Sequence, residues 1–268
     1  MKRCAVDGVE LAVREEGRGP PLLVVHGFPL NHAMWNAQID VLARRHRVIA
    51  PDLRGFGQSG VTPGVVTMPQ FADDLAALLD AMAVGEPVVY CGLSMGGYIA
   101  WQFWRNYSGR LKAMVLCDTR AAADTPEAAA NRFALADRVL GEGPSAAVET
   151  MLPRLLSAPT VQHRPEVGDA IRAMIMGNDP EGIAAASRGM AQRPDMTPHL
   201  GQIRCPVLLV VGALDAISPP DEMRSIAAAI PGACLVQIAD AGHMSPMEKP
   251  AEVTAAMTEF LAAVSVGA

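Results

Sequence analysis

No apolar run in this 268-residue chain approaches the roughly 20 residues that a helix needs to cross a bilayer, so no membrane-spanning segment is expected. A basic surplus is missing too: 22 Lys and Arg stand against 28 Asp and Glu, a net charge of −6. That balance gives no electrostatic footprint for nucleic acid and argues against an anionic membrane surface as a partner. The first eight residues, Met1 to Gly8, carry two positive charges but no apolar stretch after them, so no secretion signal is expected and the cytoplasm is the expected location. The five cysteines (Cys4, Cys91, Cys117, Cys205, Cys234) are odd in number and form no C-x-x-C pair. Three lie in or beside apolar runs, where a reduced thiol acts as a small hydrophobe. Neither H-E-x-x-H nor another metal-ligand spacing occurs, so no metal or organic cofactor is expected. Internal repeats and low-complexity tracts are absent as well. What is left is a globular chain, half hydrophobic and 19% charged, long enough for one large domain or a domain with an insertion.

Residues 3–14 read as a hairpin turning at Asp7-Gly8. Short continuous apolar runs follow at 22–25, 46–50, 88–91, 113–117, 206–211 and 234–238, separated by segments of helical periodicity. Thr67-Met68-Pro69-Gln70 has capping-box spacing, and Phe71, Leu75, Leu78, Leu79 and Met82 then share one helix face. Apolar strands alternating with helices predict a mostly parallel sheet covered on both faces. Between residues 119 and 198 the alternation stops. This stretch is rich in alanine, methionine and arginine, is punctuated by prolines including Pro144, Pro153, Pro159, Pro165 and Pro180, and predicts an all-helical insertion. The expected organisation is a core of 1–118 and 199–268 with a cap of 119–198.

Parallel sheets bind ligands at the carboxyl ends of their strands. His26, Asp52, Ser94 and Asp118 each stand just past such an end. Gly92-Leu93-Ser94-Met95-Gly96 joins a strand to a helix, and this G-x-S-x-G turn would force a positive φ on Ser94. Gly92 and Gly96 would remove the side chains that collide with the turn. A serine hydroxyl needs a base, and the base needs an orienting group. His243, in a loop after the last strand, is the candidate base. Asp215, after the penultimate strand, is the candidate acid, with Asp118 as competitor, though Asp118 reads better as a hydrogen-bonding residue of the loop entering the insertion. His32, His46, His163 and His199 read as surface residues, and His26 as the holder of its own loop. The amides of Phe28 and Met95 are the candidate oxyanion donors; Pro29 has no N–H to give.

The runs His26-Gly27-Phe28-Pro29, Asp52 to Ser59, Gly92 to Gly97, Gly212 to Asp215 and Gly242-His243 together resemble the α/β-hydrolase superfamily almost end to end. That resemblance implies an eight-stranded α/β-hydrolase fold with a helical cap at 119–198. It is most similar to serine carboxylesterases, enol-lactonases and cofactor-free perhydrolases, Pro29 matching the last group as well. It implies acyl transfer through Ser94, Asp215 and His243 on a small-molecule ester or lactone. Epoxide hydrolases and dehalogenases share two of these motifs but use an aspartate nucleophile. Carbon–carbon bond hydrolases usually have asparagine where Leu93 stands. A non-catalytic binding protein on the same fold is the alternative of another class. The pocket is expected from Pro29, Met151, Leu155, Met174 and Met244, apolar residues that could equally pack helices together. Arg120, Arg132, Arg154 and Arg172 could instead meet a substrate carboxylate, or simply be solvated.

Overall fold

A computed structural model describes residues 1–266. Eight strands form one sheet: β1 (Lys2–Val6), β2 (Val9–Glu16), β3 (Pro21–Val25), β4 (Arg47–Pro51), β5 (Val88–Leu93), β6 (Leu111–Cys117), β7 (Val207–Gly212) and β8 (Cys234–Ile238). Their spatial order is β1-β2-β4-β3-β5-β6-β7-β8. β1, β2 and β4 pair antiparallel, and every other neighbour pair is parallel. β3, β5 and β7 are buried at every position, as strands covered on both faces must be. The edge strands β1 and β8 are partly exposed.

The helices are α1 (Asn36–Leu42), α2 (Met68–Ala81), α3 (Met95–Tyr107), α4 (Pro126–Glu142), α5 (Ser145–Leu155), α6 (Ala158–His163), α7 (Pro165–Met176), α8 (Pro180–Ala191), α9 (Pro220–Ala229), α10 (Ser245–Glu248) and α11 (Pro250–Val266). The Thr67 hydroxyl caps α2 by accepting from the Gln70 amide, as its spacing predicts. α2 packs with α3, and α1 with α11. Helices α4 to α8 fill the gap between β6 and β7, the stretch read as a cap. Pro159, Pro165 and Pro180 open helices there, where a missing N–H costs nothing. Pro153 differs from expectation: it lies inside the last turn of α5 and does not interrupt it.

Register aligns the carboxyl ends of the central strands. Val25 faces Gly92, Leu93 faces Cys117, Cys117 faces Val210, and Gly212 faces Ile238. The residues that follow these ends therefore share one rim. No described helix is long and apolar enough to cross a membrane, and all five cysteines are free.

Candidate active site

Ser94 stands between β5 and α3 with φ 52° and ψ −109°, outside the conformations a residue with a Cβ prefers. The elbow is tight because its neighbours have no side chains. A Cβ on Gly92 would sit 2.5 Å from the Gly96 carbonyl oxygen, and one on Gly96 would sit 2.6 Å from that of Val25. The Ser94 amide donates to the Cys117 carbonyl at 2.9 Å, while the Ser94 carbonyl accepts from the Thr119 hydroxyl at 2.8 Å. The strained turn is thus fastened to the neighbouring strand and the loop beyond it. From Val88 to Phe103 every residue is buried except Ser94, which is partly exposed.

His243 is brought to the rim by the loop after β8. Its Nδ1 lies 2.8 Å from Asp215 Oδ2, and both side chains are buried. Asp215 is itself fixed, because Oδ1 accepts from the amides of Ile217 and Ser218 at 2.7 and 3.0 Å. The two loops are laced together by Ala213 donating to Ile238 and Leu214 donating to Ala241, each at 2.8 Å. On the other side of His243, the Glu248 carboxylate accepts from the amides of Gly242 (2.8 Å), Met244 (3.1 Å) and Ser157 (2.8 Å). Glu248 grips both neighbours of the imidazole and the start of α6. Neither the Ser94 hydroxyl nor His243 Nε2 has a hydrogen-bond partner among the described residues.

The turn after β3 lies on the elbow: a Cβ on Gly27 would be 3.5 Å from that of Ser94. Leu30 donates to the Gly27 carbonyl and closes the turn, and His26 Nδ1 lies 3.0 Å from the same oxygen. His26 Nε2 accepts from the Leu53 amide at 3.0 Å. Complete burial lowers the His26 pKa to about 4, so the ring is neutral and can make both bonds. The amide of Phe28, a buried residue, has no partner among the described residues, nor has that of Met95 at the first position of α3. Amides without a protein partner beside a serine hydroxyl are able to donate to an incoming oxygen.

The strand order, the strained serine after β5 and the aspartate–histidine pair after β7 and β8 coincide with a match over most of the chain: the sequence profile described as alpha/beta hydrolase fold covers residues 20–250. The chain belongs to the α/β-hydrolase family. This α/β-hydrolase is 50% identical to the malate-bound thermophilic esterase from Thermogutta terrifontis, over 98% of both chains, with a TM-score of 0.95. It is 30% identical to the enol-lactonase from Burkholderia xenovorans LB400, over 97% of this chain and all of that one, with a TM-score of 0.91. It is also 27% identical to 3-oxoadipate enol-lactonase 2 of Acinetobacter baylyi, over 86% of this chain and 84% of that one.

The remaining sequence-predicted residues fall into place unevenly. Asp118 does not hold the loop entering the insertion. Its Oδ1 accepts from the Gly212 amide at 2.7 Å, and its Oδ2 pairs with the Ser245 hydroxyl. Full burial, then the nearby charge of Asp215, raises its pKa well above the carboxylate range. His32 is not a surface residue either. Its Nδ1 lies 2.6 Å from the buried Asp52, whose other oxygen accepts from the Gln58 amide. Burial pushes the Asp52 pKa up, but these hydrogen bonds outweigh it and hold the group below its usual value. Of the expected pocket residues, Pro29 is buried in the turn beside Phe28, and the Met244 amide donates to the Leu155 carbonyl beside His243. Met174 joins the same buried apolar cluster as Leu155 and Met244, and Met151 packs against it. Arg120 is matched by Glu222 at 2.9 Å, while Arg154 and Arg172 are exposed. Arg132 shares the buried Asp124 with Arg193, whose guanidinium lies 4.2 Å from the Tyr98 ring centre. A groove of about 700 Å³ lined by Trp104, Arg105, His199 and Cys205 lies at the start of β6, away from this rim.

Sequence reasoning missed Glu248. Its one signal is a lone acid among Met244-Ser245-Pro246-Met247, five residues past His243.

Proposed function

We propose that this chain is a serine carboxylesterase that cleaves small, fairly apolar esters through an acyl-enzyme on Ser94. The reading rests above all on the 2.8 Å bond between His243 and Asp215, on the rim where Ser94 alone interrupts a buried run. His243 Nε2 takes the Ser94 proton as Oγ bonds to the ester carbonyl carbon. Asp215 keeps Nδ1 protonated and stabilises the imidazolium. The amides of Phe28 and Met95 meet the oxyanion, with the amino-terminal end of α3 adding its partial positive charge. His243 then gives the proton to the departing alkoxide as the C–O bond breaks. Water loses a proton to His243, attacks the acyl carbon and releases the acid, and Ser94 regains its proton. The Ser94–His243 bond would close when substrate arrives, as catalytic contacts often do. Helices α4 to α8 would act as the cap that shapes the acyl pocket.

A second reading, a lactonase for acidic substrates, draws on Arg132 and Arg193 sharing one carboxylate, which leaves a positive charge over within that cluster. The test is turnover of p-nitrophenyl acetate and a panel of neutral esters, carboxylate-bearing esters and lactones, with fluorophosphonate labelling. Ser94→Ala should lose both turnover and label. Labelling of the wild type without turnover of any substrate would favour the binding-module alternative. A label that survives Ser94→Ala would overturn the proposal.

A further inference from the structure

We propose that Asn178, from the helical segment, is a positioning residue for the oxyanion hole. Asn178 lies in the corner between α7 and α8 and is buried. Its Nδ2 donates to the Pro29 carbonyl at 2.7 Å, and its Oδ1 accepts from the Gly57 amide at 2.7 Å. One amide therefore bridges the turn that carries Phe28 to the loop that follows β4, each contact made to main chain.

The geometry of the turn says what this bridge controls. The direction of the Phe28 N–H is set by the Gly27–Phe28 peptide plane. The Gly27 carbonyl end of that plane is held by Leu30 N and His26 Nδ1, both from the core. The Pro29–Leu30 plane is held at its nitrogen by the same Gly27 carbonyl, and at its oxygen by Asn178 alone among the described residues. Without Asn178 that plane has one fixed end, and Phe28 and Pro29 together join a pinned plane to a loose one. The other half of the bridge is rigid ground. Gly57 precedes Gln58, whose amide is held by Asp52, and Asp52 also accepts from the amide of His32 at 2.9 Å, two residues beyond Leu30. Asn178 thus completes a closed circuit of hydrogen bonds around the turn, and it is the only member of that circuit drawn from the segment between β6 and β7. Seating of α7 and α8 and readiness of the Phe28 amide are one event.

This inference rests on the serine-hydrolase reading, so its experiment carries a control that separates the two. Asn178→Ala and Asn178→Asp are compared with wild type per active site counted with a fluorophosphonate, and with Ser94→Ala per mole of protein. The measurements are kcat and KM for a short p-nitrophenyl ester, the affinity of a trifluoromethyl ketone that forms an oxyanion on the serine, and the thermal midpoint. Asn178→Asp keeps the acceptor for Gly57 and the packing but sets an oxygen against the Pro29 carbonyl. Both variants should lose about tenfold or more in kcat, with KM little changed and ketone affinity falling in parallel, as misplacing one donor requires. Wild-type kcat and ketone affinity in Asn178→Asp would overturn the inference, whatever happens to the thermal midpoint. Full activity in Ser94→Ala would instead remove the reading beneath it.

Discussion

Asp118 and Asp215 follow the ends of neighbouring strands, β6 and β7, and both are buried, so their charges compete. The contacts separate their roles. Asp215 gives one oxygen to His243 and the other to two amides. Asp118 touches the Gly212 amide and the Ser245 hydroxyl, fixing the loops on either side without reaching the imidazole. Asp215→Asn should lower kcat by roughly 10³–10⁴, because an amide no longer fixes the tautomer or balances the imidazolium. Asp118→Asn should stay within about tenfold of wild-type kcat, since its amide offers the same oxygen to Gly212 and an N–H to Ser245. Its stability should change with pH in a defined direction. A carboxyl whose pKa is raised by folding makes the native state hold a proton that the unfolded chain releases, so wild type loses stability as pH rises from about 4. The thermal midpoint of Asp118→Asn, relative to wild type, should climb between pH 4.5 and 8. A constant difference, or kcat equally low in both variants, would contradict this division of labour.

At the scale of elements, α8 lies directly on the loop after β4. A Cβ on Gly182 would overlap the Gly55 carbonyl, so the helix can sit this low only because both residues lack side chains. Gly182→Ala must lift α8 or bend the loop, costing about 1–3 kcal/mol as overpacking does. Because Asn178 sits one turn earlier, kcat should fall with the thermal midpoint. A lower midpoint with unchanged kcat would show that α8 and the Phe28 turn are uncoupled. The strands could be read from sequence because continuous apolar runs with turns at their ends admit few other structures. The elbow was legible because Gly92, Ser94 and Gly96 are each required by one local geometry. Glu248, Asn178 and His32 were not legible. Their partners are main-chain groups or carboxylates 20 to 149 positions away or held in loops, and no periodicity encodes such an approach. Met151 and Met174 were ambiguous for a related reason: an apolar side chain in a helical segment serves packing and pocket equally well.

For the whole molecule, the response to acid tests how far one buried ring supports the rim. His26 joins the turn after β3 to the loop after β4, and both loops belong to the circuit that surrounds the Phe28 amide. Folding lowers its pKa from 6.5 to about 4, so between those values the unfolded chain binds a proton that the native ring refuses. Stability therefore falls as pH drops through that window, by about 3 kcal/mol if the shift is fully expressed. Asp52, whose pKa is lowered, adds a loss in the same direction at still lower pH, while Asp118 opposes both. His26→Gln keeps a donor and an acceptor but does not titrate. Urea unfolding at pH 7.5, 6 and 4.5 should show the variant less stable than wild type at pH 7.5, with the gap narrowing steadily toward pH 4.5. A gap that stayed constant would mean that His26 titrates alike in both states. The turn bearing Phe28 would then be held by something other than a ring kept neutral by burial.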